Sequence, residues 1–341
     1  MSGGIQAGFH EGDVALSSRV RLARNLAALP FVTRCDDAQC SRIVERIRAA
    51  ITELPFGGEM EFINVATLDS EDAELLVEQH LISRALIESE CARGAAISKA
   101  RDVSIMMNEE DHLRLQALGG GLVVREVFDR INTIDDELAS KLDFSFHEKY
   151  GYLTACPTNT GTALRVSVML HLPCLRLTNE LDKALAACRD MRMAIRGMFG
   201  EGTEAAGDIF QISNQVTLGK SEEQIVEDFL TTIGEVIAYE RTCRETIGRD
   251  WSLELEDRFL RSQAVLRVAK KMSSSEAMFH LSIVRLAILL GRMEKMDLVA
   301  MSDLMHEICP AHLQLRLGGR LNQRDRDIRR AELLRKTFGA E

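Results

Sequence analysis

The sequence predicts an α+β fold: a mostly antiparallel sheet flanked by helices, followed by an all-helical segment. Three observations predict it. Short strand-like runs alternate with helical ones up to residue 217. From residue 221 onward the apolar spacing is almost wholly helical. The change in character falls near 249–251, beside the only tryptophan, Trp251. The expected division is a sheet domain at 1–250 and a helical domain at 251–341, in line with roughly two domains of about 150 residues for 341 residues.

Taken in order, residues 17–25 come first, with Arg19 and Arg21 separated by one residue. In an extended chain both point to the same face. Two guanidinium groups on one face repel unless an anion lies between them, so the run is either an exposed basic strand or a polyanion clamp. Residues 36–54 have helical spacing and 60–67 read as a strand. Residues 69–88 read as one helix capped by Asp69 or Ser70, with His80 near its end. Two strand-like runs, 95–99 and 103–107, lead into Asn108-Glu109-Glu110-Asp111-His112-Leu113-Arg114. Three successive carboxylates after an apolar strand are either a charged turn or a strand end delivering a carboxylate into a cleft. Gly119–Gly121 reads as a flexible break, and 122–142 as a long amphipathic helix.

The strand-like run 150–155 feeds a polar loop from Cys156 to Arg165, rich in hydroxyl and amide side chains. Pro157, Asn159 and Gly161 supply its turn chemistry. A loop that mixes a cysteine, several hydroxyls and an arginine suits a polar ligand better than a structural turn. Residues 164–172 read as a strand ended by Pro173, 179–189 as a helix, 191–198 as a strand. A glycine-rich loop follows, and 208–217 is another strand. Gly219-Lys220-Ser221 mimics the end of a phosphate-binding loop. That motif needs a glycine where this chain has Asn214, so Ser221 with Gln224 is read as a capping box. Helices are expected at 221–246, 253–272, 274–290, 302–308 and 322–337.

Composition narrows the function classes. The net charge of −10 argues against nonspecific nucleic-acid binding. The most apolar run, 281–291, contains Arg285 and is far short of the ~20 residues that span a bilayer. Residues 1–9 lack the basic and apolar regions of a signal peptide, so a cytoplasmic protein without membrane contact is expected. The eight cysteines show no CxxC pair and no zinc spacing, so no metal site is expected and most should be reduced, buried side chains.

Arginines recur at strand ends or loop mouths: Arg19, Arg21, Arg114, Arg165 and Arg196. Glu110 accompanies Arg114, and Glu201 accompanies Arg196. Converging arginines can neutralise a nucleotide triphosphate without a glycine-rich loop, because phosphoryl transfer needs mainly positioning and charge stabilisation. Carboxylates left over suit a guanidinium acceptor, which a general base would help to deprotonate.

Four ordered motifs now become specific. They are Ser17-Ser18-Arg19-Val20-Arg21, Asn108 to Arg114, Cys156 to Arg165, and Arg196-Gly197-Met198-Phe199-Gly200-Glu201. They resemble those of the phosphagen kinases (arginine and creatine kinase), over about residues 14–244. His80-Leu81-Ile82-Ser83, Arg165-Val166-Ser167-Val168-Met169 with His171-Leu172-Pro173, and Gly200-Glu201-Gly202 are most similar to the bacterial protein arginine kinase branch. Arg84, where many relatives have proline, and Phe199, where small-molecule enzymes have a polar residue, are mild departures.

The resemblance implies a phosphagen-kinase-like catalytic domain that binds ATP, with Mg2+ carried by the nucleotide. The nucleotide would meet Ser17, Ser18, Arg19, Val20, Arg21, His80, Arg114, Arg165, Val166, Ser167, Val168, Met169 and the run Arg196, Gly197, Met198, Phe199, Gly200 and Glu201. Glu110 and Glu201 would act on the acceptor guanidinium, with Cys156 beside it. Small-molecule relatives carry a helical domain before the first arginine motif. Here only 18 residues precede Arg19, so an open acceptor site, suited to an arginine side chain on a protein, is expected. Arg326, Asp327, Arg330 and Ala331 match an allosteric phosphoarginine motif of the branch, although alone they read more readily as a solvated charged helix. The resemblance further implies protein substrates, marking for Clp-type proteolysis under stress, an activator protein and a homodimer. Two alternatives stay open: a small-molecule guanidino kinase, and a non-catalytic phosphoarginine-binding regulator.

Overall fold

The computed structural model describes residues 12–197, 206–250, 252–293 and 296–339. The fold is α+β. Its strands are β1 (Ala15–Arg24), β2 (Met60–Ile63), β3 (Gly94–Ser98), β4 (Val103–Met107), β5 (Leu113–Gly120), β6 (Phe146–His147), β7 (Gly151–Tyr152), β8 (Leu164–His171), β9 (Met193–Gly197) and β10 (Ile209–Asn214). Helices of the first part are α1 (Asp37–Glu53), α2 (Ser70–Glu78), α3 (Arg84–Glu88), α4 (Val124–Ala139), α5 (Pro173–Leu177), α6 (Leu181–Asp190) and α7 (Glu222–Arg249). The C-terminal region is helical: α8 (Leu253–Val268), α9 (Ser274–Leu289), α10 (Leu298–Glu307), α11 (Pro310–Leu317) and α12 (Gln323–Phe338).

Eight strands form one sheet in the order β2-β3-β4-β5-β1-β8-β10-β9, while β6 and β7 form a separate hairpin. The pairs β2/β3, β3/β4, β4/β5 and β5/β1 are antiparallel. The chain divides into two compact units. One comprises residues 17–168 and 213–231; the other comprises 11–16, 169–212 and 232–341. Strands β1, β8 and β10 and helix α7 therefore each run from one unit into the other.

In the first unit, β4 and β5 are buried along nearly their whole length; β4 matches the apolar run at 103–107, whereas β5, which carries Arg114 and Gln116, was not anticipated as a strand. Helix α4 buries Val124, Val127, Phe128, Ile131, Ile134 and Leu138 on one face, each worth about 1.5–3 kcal/mol when fully removed from water. It lies so close to β5 that a Cβ on Gly119 would meet Val123 Cγ2 at 2.5 Å. Gly119 and Gly120 are thus strand residues, Gly119 with a packing role, and the expected break at 119–121 is confined to Gly121 (φ 75°) after the strand end. In the second unit, Phe259, Leu266, Met278, Leu281, Met301 and Leu334 centre the core of the helical region.

Other expectations shift locally. The single helix at 69–88 is two helices. His80 has φ 58°, outside the helical region, and Ser83 caps α3 by accepting from Leu86 N–H at 3.1 Å. Of 150–155 only Gly151–Tyr152 is strand. Pro173 opens α5, where its missing N–H is harmless, rather than merely ending β8. Helix α11 was not anticipated, although Pro310 at its start and Gly318 (φ 72°) at its end mark it. The Ser221–Gln224 capping box forms with both bonds, at 3.0 and 3.2 Å.

Candidate active site

The arginine-bearing face follows from strand pairing. Arg21 lies opposite Gln116, Arg19 opposite Leu118, and Ala23 opposite Arg114 in the β1/β5 register. Directly opposed residues share a face and alternate residues repeat it, so Arg19, Arg21, Arg114 and Gln116 lie on one side of the sheet. On β8, Arg19 Nε donates to Ser167 Oγ at 3.4 Å, and Arg165 Nη2 donates to Ser213 Oγ at 3.0 Å. Gln116 donates to the carbonyl of His80, which brings the non-helical turn at His80 to that face.

The electrostatics show that these cations converge. The Arg21 pKa is pushed well below its ordinary value, by burial first and then by the charges of Arg19, Arg114 and Arg165; Glu109 offsets this only in part. Arg21 nevertheless keeps partial solvent access. Gathering like charges is costly, so an anion entering this face would relieve the repulsion. Ser18, Val20, Val166 and Val168 are buried on alternate positions, so they shape the arginine face through the backbone. Ser18 Oγ donates to Gly121 O at 2.7 Å and accepts from Val123 N–H at 3.0 Å. Ser17 pairs with Gly120 in the strand register.

The three carboxylates after β4 separate by environment. Glu109 is buried, accepts from Ser83 Oγ at 2.6 Å and pairs with Arg114. Asp111 is buried and accepts from Asn25 Nδ2 at 2.6 Å and from Ala155 N–H at 2.7 Å. Both are committed to holding the fold. Glu110 is the half-exposed one, 3.4 Å from Arg114 Nη2. Burial pushes its pKa up, as do Asp111 and Glu109. Arg114 and a hydrogen bond from the Cys156 side chain oppose the rise. Cys156 Sγ also lies 3.0 Å from Thr158 Oγ1. The structure thus brings Glu110, Cys156 and Arg114 together, three residues singled out from separate motifs.

The loop holding Cys156 is fixed from behind. Thr217 Oγ1 donates to Thr158 O at 3.1 Å and to Thr160 O at 2.9 Å. A Cβ on Gly161 would stand 2.0 Å from Thr217 O, and its φ of 124° also demands glycine. Two bracing networks were missed by sequence reasoning. Arg24 reaches Asp135, Glu222 and the carbonyls of Ala23 and Thr162, and its guanidinium lies 3.5 Å from the Tyr152 ring centroid. Asn25 bridges Asp111 and the His112 N–H, at 2.6 and 3.0 Å. His112 itself is structural. Leu26 N–H donates to its Nδ1, so Nε2 carries the proton and donates to Pro30 O at 2.8 Å. Burial lowers its pKa. No signal within a single sequence marks contacts spanning 86 to 198 residues, though the run Arg24-Asn25 directly after the arginine motif was visible.

In the second unit, Arg196 and Gly197 end β9, and Met169 packs against the helical core. Met198, Phe199, Gly200 and Glu201 lie outside the described residues. On α12, Arg330 is buried. It donates to Ile308 O at 2.7 Å, Met272 O at 2.9 Å and Asp327 Oδ1 at 2.8 Å. Arg326 donates to Leu321 O at 2.9 Å, and Ala331 lies in the core. Arg330 and Asp327 are thus committed to each other and to the helix ends around them, while Arg326 is the more accessible cation of the motif. Among the described residues no three His, Cys, Asp or Glu side chains form a cation site.

Comparisons with known proteins bear on this geometry. The ATP:guanido phosphotransferase C-terminal catalytic domain matches residues 42–243, and the protein-arginine kinase McsB C-terminal domain matches residues 252–341. The chain is 43% identical over 331 residues to a protein-arginine kinase of Symbiobacterium thermophilum, covering 96% of this chain and 94% of that one. It is 43% identical over 333 residues to a protein-arginine kinase of Bacillus subtilis, covering 97% and 92%. Among solved structures, a lombricine kinase shares the fold with a TM-score of 0.61 at 24% identity, over 71% of this chain and 70% of that one. On these matches the chain belongs to the protein-arginine kinase family of ATP:guanido phosphotransferases and is an enzyme of the kinase class.

Proposed function

We propose that the enzyme transfers the γ-phosphoryl group of ATP to the guanidinium of arginine residues in proteins. The observation that carries this reading is the gathering of Arg19, Arg21, Arg114 and Arg165 around one face, with Glu110 and Cys156 in contact beside Arg114. The four cations suit a triphosphate and the charge that develops on its transferring group. Arg196 joins them in this reading, His80 lies near the nucleotide, and Mg2+ arrives bound to the phosphates.

Glu110 suits the acceptor side. A guanidinium is protonated at neutral pH and must lose a proton as its nitrogen attacks. The N–P bond forms, the bond from phosphorus to the bridging oxygen of ADP breaks, and Glu110 takes the proton. Partial burial raises the basicity of its carboxylate, which favours that role. Cys156 and Glu201 orient the planar cation. In the same reading residues 1–250 form the catalytic domain. Residues 251–341 form a regulatory and homodimerising domain, whose Arg326, Asp327, Arg330 and Ala331 read phosphoarginine. The enzyme then acts in the cytoplasm under stress with an activator protein, marking substrates for Clp-type proteolysis.

The test is phosphorus NMR of a protein acceptor incubated with enzyme and ATP. The Glu110→Gln variant should reduce the acid-labile N-phosphate signal by about 10²–10⁴-fold in rate. An undiminished rate would refute the carboxylate's role.

A further inference from the structure

Cys35, Cys40 and Cys91 are free cysteines that meet in the first unit, although they come from separate segments. Cys35 precedes α1, Cys40 lies within it, and Cys91 stands between α3 and β3. The Cys40 thiol is hydrogen-bonded to both of the others. An independent contact fixes the same approach. One amide group, Asn108 Nδ2, donates to Cys40 O at 2.9 Å and to the carbonyl of Ala92, beside Cys91, at 2.7 Å. Access is unequal: Cys40 is fully buried, whereas Cys35 and Cys91 keep partial solvent access. Cys35 Sγ is tied to Pro30 O at 3.2 Å, while Cys91 lies in the irregular stretch 89–93 with its Sγ 3.4 Å from Ser89 Oγ. Burial pushes the Cys35 and Cys40 thiols up, Cys40 to about 12, with Cys91 and Cys35 adding to the Cys40 rise. An oxidant that needs a thiolate therefore meets neither of these two readily.

The cluster anchors both ends of the turn that carries Glu110. Asn108, at its start, is fully buried and has φ 58°. That conformation is held by the two Nδ2 bonds and by its own N–H, which donates to His112 O at 3.0 Å. His112, at the far end, donates from Nε2 to Pro30 O, the carbonyl that Cys35 Sγ also meets. A covalent bond between Cys40 and Cys91 would shift the two carbonyls that hold Asn108.

We propose that Cys40 and Cys91 form a peroxide-sensitive dithiol whose disulfide displaces Asn108 and slows phosphoryl transfer. Hydrogen peroxide breaks its O–O bond on Cys91 Sγ, giving a sulfenic acid and one water. Cys40 Sγ, already in contact, attacks that sulfur; the S–S bond forms, the S–O bond breaks and a second water leaves. The two thiols together lose two electrons and two protons, and the peroxide is reduced to water. The effect on rate rests on the Glu110 reading above; the cross-link does not.

The experiment treats the full-length enzyme with hydrogen peroxide and maps unreduced peptides by mass spectrometry after cleavage at aspartate, which separates Cys35 from Cys40 at Asp36 and Asp37. A cross-link between Cys40 and Cys91 should appear. The kcat with a protein acceptor should fall roughly tenfold or more, as a small misplacement near the chemistry can cause, and dithiothreitol should reverse both changes. Oxidation of Cys156 is separated by substitution. Cys156→Ser should fall by the same factor relative to its own untreated rate, and Cys156→Ser combined with Cys91→Ser should not fall. Cys91→Ser alone should match the unaltered enzyme before treatment. No cross-link, a cross-link to Cys35 in place of Cys40, or a Cys40–Cys91 cross-link without loss of rate would overturn the proposal. Failure of the Glu110 reading shows separately, as an undiminished rate in untreated Glu110→Gln.

Discussion

Replacing Arg24 by methionine removes the cation from a buried network while keeping most of its apolar stem. Arg24 is 1% exposed and binds both oxygens of Asp135, which is 4% exposed. It also donates to the Ala23 and Thr162 carbonyls at 3.0 Å. The substitution leaves Asp135 without its cation and the two carbonyls without a donor. Breaking a buried pair from one side costs about 3–5 kcal/mol, and each lost carbonyl bond adds roughly 1 kcal/mol. Burial already raises the Asp135 pKa, with Arg24 as the main opposing influence. Without Arg24 the carboxyl would protonate more readily, which holds the total near the lower bound, about 5 kcal/mol. The assay is urea unfolding at pH 7 of the single variant and of Arg24→Met combined with Asp135→Leu. The double variant should recover part of the loss, because the fully buried Asp135 charge is then no longer stranded, while Glu222 and the two carbonyls still lack their partner. A cost below about 1 kcal/mol for the single variant, or a double variant no more stable than the single, would refute the reasoning.

Four further predictions concern other parts of the molecule. Asp13 is raised by burial but held at about 2 by hydrogen bonds from Arg241 and Arg244. A depressed carboxylate stabilises the fold above its unfolded pKa and loses that contribution as pH falls through the folded value. Asp13→Asn should therefore cost about 1–2 kcal/mol at pH 7, after allowance for solvent screening, and should flatten the stability change between pH 4 and 2 in acid-denaturation curves. For Glu110, the acidic limb of the kcat/KM profile should lie above the ordinary carboxylate range, because the base must be ionised and its pKa is raised; a limb below 4.5 would contradict this. Arg330→Ala should lower the thermal stability of the whole enzyme by several kcal/mol, since it strands Asp327 and two carbonyls. Arg326→Ala is the gentler probe of phosphoarginine activation, and unchanged activation in it would count against the pocket.

What was legible in the chain depended on range. The alternation around Arg19 and Arg21 correctly set both on one strand face, since it needs only the two-residue period. The capping box at Ser221 was equally local. The convergence of Arg114 and Arg165 with them was a matter of sheet order, which places β1 between β5 and β8. Spacing along the chain does not encode that order; the motif resemblance did. Nor did the triplet Glu109, Glu110 and Asp111 disclose which carboxylate is available. Only the bonds from Ser83 and Arg114 to the first, and from Asn25 and Ala155 to the third, single out Glu110. The 69–88 stretch failed because nothing local announces the positive φ of His80, a conformation that tertiary contacts impose through the bond from Gln116.

The central claim is that the acceptor is an arginine side chain in a protein, attacked with the help of Glu110. Tandem mass spectrometry of an unstructured protein incubated with the enzyme and ATP, read without acid treatment, tests it most directly. One phosphoryl group should appear on individual arginine residues, forming about 10²–10⁴-fold more slowly with Glu110→Gln. Fast consumption of ATP with free arginine and no phosphoarginine on the protein would contradict it.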